Sequence, residues 1–93
     1  MIHSFRSPPT EAIFDNLVPK GFPADLARVA RRKLEALNAA TTLGDLRSPP
    51  GNRLHALGGD RSGRHAIRIN DQFRVCFVWR EDGAHDVEIV DYH

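Results

Sequence analysis

The residue types with most chemistry to offer fall in three short stretches. At the C-terminal end, Asp91-Tyr92-His93 sets a carboxylate, a phenol and an imidazole side by side, and each can hold or move a proton. Upstream, Arg53-Leu54-His55-Ala56-Leu57 runs into Gly58-Gly59-Asp60-Arg61. In an extended chain, alternation sends Leu54 to one face and both Arg53 and His55 to the other. Between these stretches lies Arg74, in an alternating run whose same-face neighbours include Cys76 and Val78. A guanidinium among such neighbours is costly unless that face is open or holds an anion. Each stretch also has a plainer reading, as a polar chain end or an exposed strand histidine. Five histidines, at 3, 55, 65, 85 and 93, show no helical i,i+3 or i,i+4 pair and no adjoining carboxylate cluster, so neither a metal site nor a cofactor is expected. Cys76 is the single cysteine, placed mid-strand between Val75 and Phe77, where a packing role is the expectation and no internal disulfide can form.

The charge distribution is compatible with a polyanionic partner. Residues 1–80 carry all 13 basic residues and seven acids, a net of +6, whereas residues 81–93 carry five acids and no Lys or Arg. Eleven of the 13 bases are arginine, whose planar fork suits phosphate oxygens. A basic body of this kind is the electrostatic footprint of nucleic-acid binding, though a solvated basic surface gives the same count. With 93 residues, of which 41% are hydrophobic and 27% charged, the chain is read as one globular domain, residues 1–93, and not as a disordered segment. A core this small is marginal alone and benefits from a partner. The start, MIHSFRSPPTE, lacks the pattern of a secretory signal, and no window approaches 18 apolar residues. A cytoplasmic location and no membrane association are therefore expected.

The elements that must position these groups can be read from periodicity. Met1–Arg6 alternates weakly and predicts a strand, closed by Ser7-Pro8-Pro9. Thr10 sits where a helix N-cap is expected, before the short stripe Ala12, Ile13 and Leu17. Pro23 and Asp25 open the clearest helix, in which Leu26, Val29, Ala30, Leu34 and Leu37 share one face and Arg28, Arg31, Arg32 and Glu35 the other. Thr41–Gly51 reads as a loop. A strand begins near Arg53, a second covers Arg64–Asn70, a third Phe73–Arg80, and Asp82-Gly83 turns the chain into a last one, Ala84–Tyr92. Hairpin links make this sheet antiparallel, and the helices must cover one of its faces. The expected fold is a two-layer α+β domain.

Read as a whole, the chain resembles the HigB-type toxins of the RelE/ParE superfamily of bacterial toxin–antitoxin pairs. The matching stretches are Met1-Ile2-His3-Ser4-Phe5, residues 34–41 (LEALNAAT), Pro49-Pro50-Gly51-Asn52-Arg53-Leu54-His55-Ala56-Leu57, Gly59-Asp60-Arg61, Ile67-Arg68-Ile69-Asn70, Trp79 and Val90-Asp91-Tyr92-His93. Their order and spread from Met1 to His93 make the resemblance more specific than any single motif. It implies a RelE-like fold, β-α-α followed by antiparallel strands. It also implies cleavage of messenger RNA in the ribosomal A site of the 30S subunit, without a metal. The implied partner is a HigA-type helix-turn-helix antitoxin, through which alone the pair would reach operator DNA.

Under that resemblance, Arg74 would stabilise charge growing on the scissile phosphate, and His55 would be the base. Asp91 is an alternative base or an orienting group, Tyr92 would position the substrate base, and His93 would be the acid or bind through its ring. Arg53, Arg61, Arg64 and Arg68 would contact RNA or ribosome. Where relatives often carry a lysine, this chain has Gly58. Two alternatives stand beside this reading. One is a ParE-like toxin acting on DNA gyrase, which the same fold permits; the other is a non-catalytic RNA-binding module.

Overall fold

The structure, a computed structural model, describes residues 1–59 and 63–92. Two helices, α1 (Pro8–Phe14) and α2 (Ala24–Ala39), precede four strands, β1 (His55–Ala56), β2 (Arg64–Arg68), β3 (Phe73–Arg80) and β4 (Gly83–Asp91). The strands form one antiparallel sheet in the order β1-β2-β3-β4. The expected α+β architecture, with helices on one face, is the one found. Among the described residues no helix is long and apolar enough to cross a membrane.

Alternation along the strands builds the core. Ile67, Val75, Phe77 and Val87 face the helices and are almost completely buried against Ile13, Ala30, Leu34 and Leu37. The same alternation sends Arg64, Ala66, Arg68, Arg74, Cys76, Glu88 and Val90 to the opposite face, which no helix of the described residues covers. There a small apolar cluster, Leu57, Ala66 and Cys76 with Val90 against it, is withdrawn from water, as is Arg64.

Three local outcomes differ from the sequence reading. The N-terminal segment does not make a full strand; it runs parallel to β4 through bridges at Ile2–Ala84 and Phe5–Val87, and the Ile2 amide donates to Asn38 Oδ1 of α2. The cap of α1 is Ser7, not Thr10: the Ser7 hydroxyl accepts from the Thr10 amide, and Pro8 takes the first helical position. Thr10 is instead buried, and its hydroxyl accepts from the Ile89 amide at 3.0 Å, satisfying a β4 donor on the side where no full strand lies. The loop after α2 is organised as two short 3-10 helices, Leu43–Arg47 and Pro50–Asn52.

Strand β4 contains a bulge. Cys76 pairs with Glu88 but Val78 pairs with His85, so Asp86 and Val87 together oppose Phe77, and Asp86 adopts φ +51°. The bulge brings the Asp86 carbonyl to the Arg64 guanidinium at 2.8 Å.

Candidate active site on the open face of the sheet

His55 and Arg74 come from strands that are not neighbours, and cross-strand register places both on the uncovered face. His55 pairs with Ala66, Ala66 with Cys76, and Cys76 with Glu88. One row further along, Arg68 pairs with Arg74 and Arg74 with Val90. Tyr92 follows β4, and its backbone amide donates to the Gln72 carbonyl at 2.6 Å, which holds the residue beside the β2–β3 turn.

The Tyr92 ring joins the two groups. The Arg74 guanidinium carbon lies 5.2 Å from the ring centroid, a cation–π contact, and the His55 ring meets Tyr92 edge-on at 6.5 Å. Arg74 is fixed from below by donating through Nη1 to the Asn70 carbonyl at 2.7 Å and the Phe73 carbonyl at 3.2 Å. Both of those bonds use Nη1, and the guanidinium's other N–H donors are the ones with which it could receive an anion. His55 Nδ1 lies 2.9 Å from the Arg53 carbonyl. A carbonyl only accepts, so Nδ1 carries a hydrogen, and in the neutral ring the lone pair is then on Nε2. That tautomer is the one a proton acceptor needs.

The approach to His55 is set by a buried side chain that the sequence reading did not single out. Asn52 is fully buried; its amide donates to the Leu46 carbonyl at 3.0 Å and the Ser48 carbonyl at 3.2 Å, and its oxygen accepts from the Lys33 ammonium. The next residue, Arg53, takes the left-handed conformation at φ +47° and turns the chain into β1. Partial burial, then the charge of Arg68, hold Lys33 below the ordinary lysine value of 10.5. The signal for Asn52 in the sequence was only its place in the Pro49-Pro50-Gly51-Asn52-Arg53 stretch; burial by groups from three segments is not visible in spacing. On its other side His55 borders a cavity of about 340 Å³ that is also lined by Leu43, Arg47 and His65.

The other expected site residues are placed as follows. Arg53 is exposed at the mouth of β1. Arg68 is half-buried and donates to Asp71. Arg64, expected to face RNA, is only 8% exposed and is used within the fold, bonded to the Asp86 carbonyl and paired with Glu88 at 3.5 Å. Asp91 pairs in register with Phe73 and so projects toward the helical side, where Gln72 Nε2 donates to it at 3.0 Å. Arg61 and His93 lie outside the described residues.

Comparisons with known proteins identify the family. Residues 3–93 match the family model of the HigB-like toxin, described as the RelE-like toxin of the type II toxin–antitoxin system HigB. The chain belongs to that family. It is 34% identical, over the full length of both chains, to a Proteus vulgaris protein named Endoribonuclease HigB. Over 57 residues it is 46% identical to Toxin HigB-1 of Vibrio cholerae, a match spanning 61% of this chain and 60% of that relative's length. An uncharacterised Haemophilus influenzae protein is 32% identical over 65 residues, covering 70% of this chain and 64% of its own. The HigB-like family is thus one in which a relative carries an endoribonuclease name, and a type II toxin is one half of a pair completed by an antitoxin.

Proposed function

We propose that this HigB-like chain is a ribosome-dependent endoribonuclease that cuts messenger RNA in the A site and thereby arrests translation. The reading rests on one observation: a lone-pair nitrogen of His55 and the guanidinium of Arg74 flank a single exposed aromatic ring, Tyr92, on the open face. A nucleotide base stacking on Tyr92 brings its ribose and 3′-phosphate between the two groups. His55 Nε2 removes the 2′-hydroxyl proton, and the 2′-oxygen attacks phosphorus. The P–O5′ bond breaks, leaving a 2′,3′-cyclic phosphate, and the 5′-oxygen takes a proton. Arg74 neutralises the charge that grows on the phosphoryl oxygens. His93 is the proposed proton donor, with Arg53, Arg68 and Arg61 on flanking phosphates; Asp91, turned to the helical side, is left outside the chemistry. No step requires a metal ion or cofactor. In the cytoplasm a helix-turn-helix antitoxin of the HigA type would hold the chain inactive and carry it to operator DNA.

The test is primer extension on translated messages after expression of wild type and Arg74→Ala. Wild type should give discrete breaks within codons, unaffected by a chelator in lysates, and Arg74→Ala should reduce them roughly 10²–10³-fold, the usual effect of losing one oxyanion partner. Equal cleavage by both proteins overturns the mechanism. Inhibition of supercoiling without any RNA break would point to gyrase instead.

A further inference from the structure

Near the far end of the sheet from Tyr92, three metal-ligating side chains from distant parts of the sequence meet. His3 of the N-terminal segment stacks on His85 of β4, with ring centroids 4.8 Å apart and planes within 16°. Both rings turn toward Asp82 of the β3–β4 turn. His85 Nε2 is 2.7 Å from Asp82 Oδ1, and His3 Nε2 is 3.7 Å from Oδ2 and 2.5 Å from the Asp82 carbonyl. One ligand atom from each residue falls within 4.8 Å of the other two. Among the described residues this is the one group of three or more His, Cys, Asp or Glu side chains with such geometry.

We infer that His3, Asp82 and His85 form a binding site for a divalent transition metal ion, Zn2+ in the first instance, which staples the N-terminal segment to the β3–β4 hairpin. Two imidazoles and one carboxylate are a donor set suited to Zn2+ and poorly suited to Mg2+ or Ca2+, which want oxygen ligands. Tetrahedral coordination at about 2.0–2.1 Å requires donor atoms about 3.4 Å apart. The three must therefore draw together by at most about 1.4 Å, within reach of side chains that keep 22%, 31% and 59% of their surface exposed. On binding, His3 gives up its Asp82 carbonyl contact and His85 its Asp82 carboxylate contact, and in each ring the proton moves to Nδ1 so that Nε2 can coordinate. A water fills the fourth position. Six residues of strand lie between His85 and Tyr92, a span of about 20 Å, so the ion takes no part in the proposed cleavage. The N-terminal segment is held to β4 through two isolated bridges and their backbone hydrogen bonds, and a metal staple would add a side-chain tie between it and the β3–β4 turn.

Thermal unfolding with and without ZnCl2, for wild type, His85→Gln and Asp82→Asn, tests this directly. Ligand that binds only the folded state raises the wild-type Tm by about 5 °C or more for each tenfold excess of free Zn2+ over its Kd. Each variant should need at least tenfold more Zn2+ for the same rise, while His65→Gln, away from the cluster, should respond as wild type does. Cu2+ electron paramagnetic resonance provides a readout that does not depend on stability: two coupled nitrogens in wild type and one in His3→Gln. A wild-type Tm indifferent to Zn2+, or a rise that persists undiminished in His85→Gln and Asp82→Asn, overturns the inference. Neither readout depends on RNA cleavage, so its failure and that of the proposed function are separable.

Discussion

Tyr92 is the residue on which the proposed chemistry pivots, because it holds Arg74 and His55 by its ring and not by its hydroxyl. The contacts are a cation over the face and an imidazole against the edge. Tyr92→Phe keeps both and should retain cleavage within about threefold, whereas Tyr92→Ala removes the stacking surface, worth about 1–3 kcal/mol per base, and should cost roughly tenfold or more. Ribosome-programmed cleavage by the two variants separates a stacking platform from a proton donor: a large loss in Tyr92→Phe would assign the chemistry to the phenol. At this scale the sequence was partly legible. Strand alternation puts His55 and Arg74 on the uncovered face, but it assigns Arg64 to the same face without showing that Glu88 and a bulged carbonyl occupy its guanidinium.

At the scale of the element, the two 3-10 turns before β1 explain how a two-residue strand can hold the proposed base, His55, in place. Asn52 binds two carbonyls of the preceding turn from a fully buried position. Asn52→Ala leaves those carbonyls unsatisfied and should cost about 2 kcal/mol, or about 10 °C in Tm, with a loss of cleavage larger than the stability change accounts for, since Arg53 and His55 follow directly. Asp45 braces the first of these turns. Its carboxylate accepts from the Thr41 and Thr42 amides at 3.0 and 3.1 Å, and these bonds hold it below the ordinary aspartate value of 3.8. A depressed carboxylate favours the folded state above its unfolded value and loses that advantage as pH falls through the folded one. Denaturant midpoints of wild type and Asp45→Ala should therefore differ at neutral pH and converge as pH drops below 3.8. The sequence reading took this stretch for a plain loop, because a capping box within a five-residue turn leaves no hydrophobic period to detect.

For the whole molecule, stability depends on closing the sheet with a segment that scarcely reads as a strand. Met1–Arg6 alternates over too few residues to declare its partner, and its parallel pairing with β4 was not foreseeable from hairpin logic. Helix α2 and strands β3 and β4 were legible because their periods are long and regular, and their agreement with one another gave the layer order. The closure makes Gly83 obligatory. It sits at φ +127°, and an added Cβ would fall 2.2 Å from the Met1 carbonyl oxygen. Gly83→Ala should cost about 3 kcal/mol through backbone strain and overpacking. Hydrogen exchange should show the Ala84 and Val87 amides, which donate to Met1 and Ser4, losing protection before the β3 amides do.

The bulge at Asp86 also governs which changes of chain length this sheet can absorb. Ala84 and Val87 both face the helices although three positions separate them, so the strand has already spent one odd step. Removing Asp86 would restore strict alternation and leave Val87, Ile89 and the Tyr92 end in their present orientation. Deleting any single residue between Val87 and Val90 would instead turn everything beyond it over, carrying the aromatic platform to the covered side. In insertion–deletion libraries of β4, survivors of single-codon loss should therefore concentrate at codon 86.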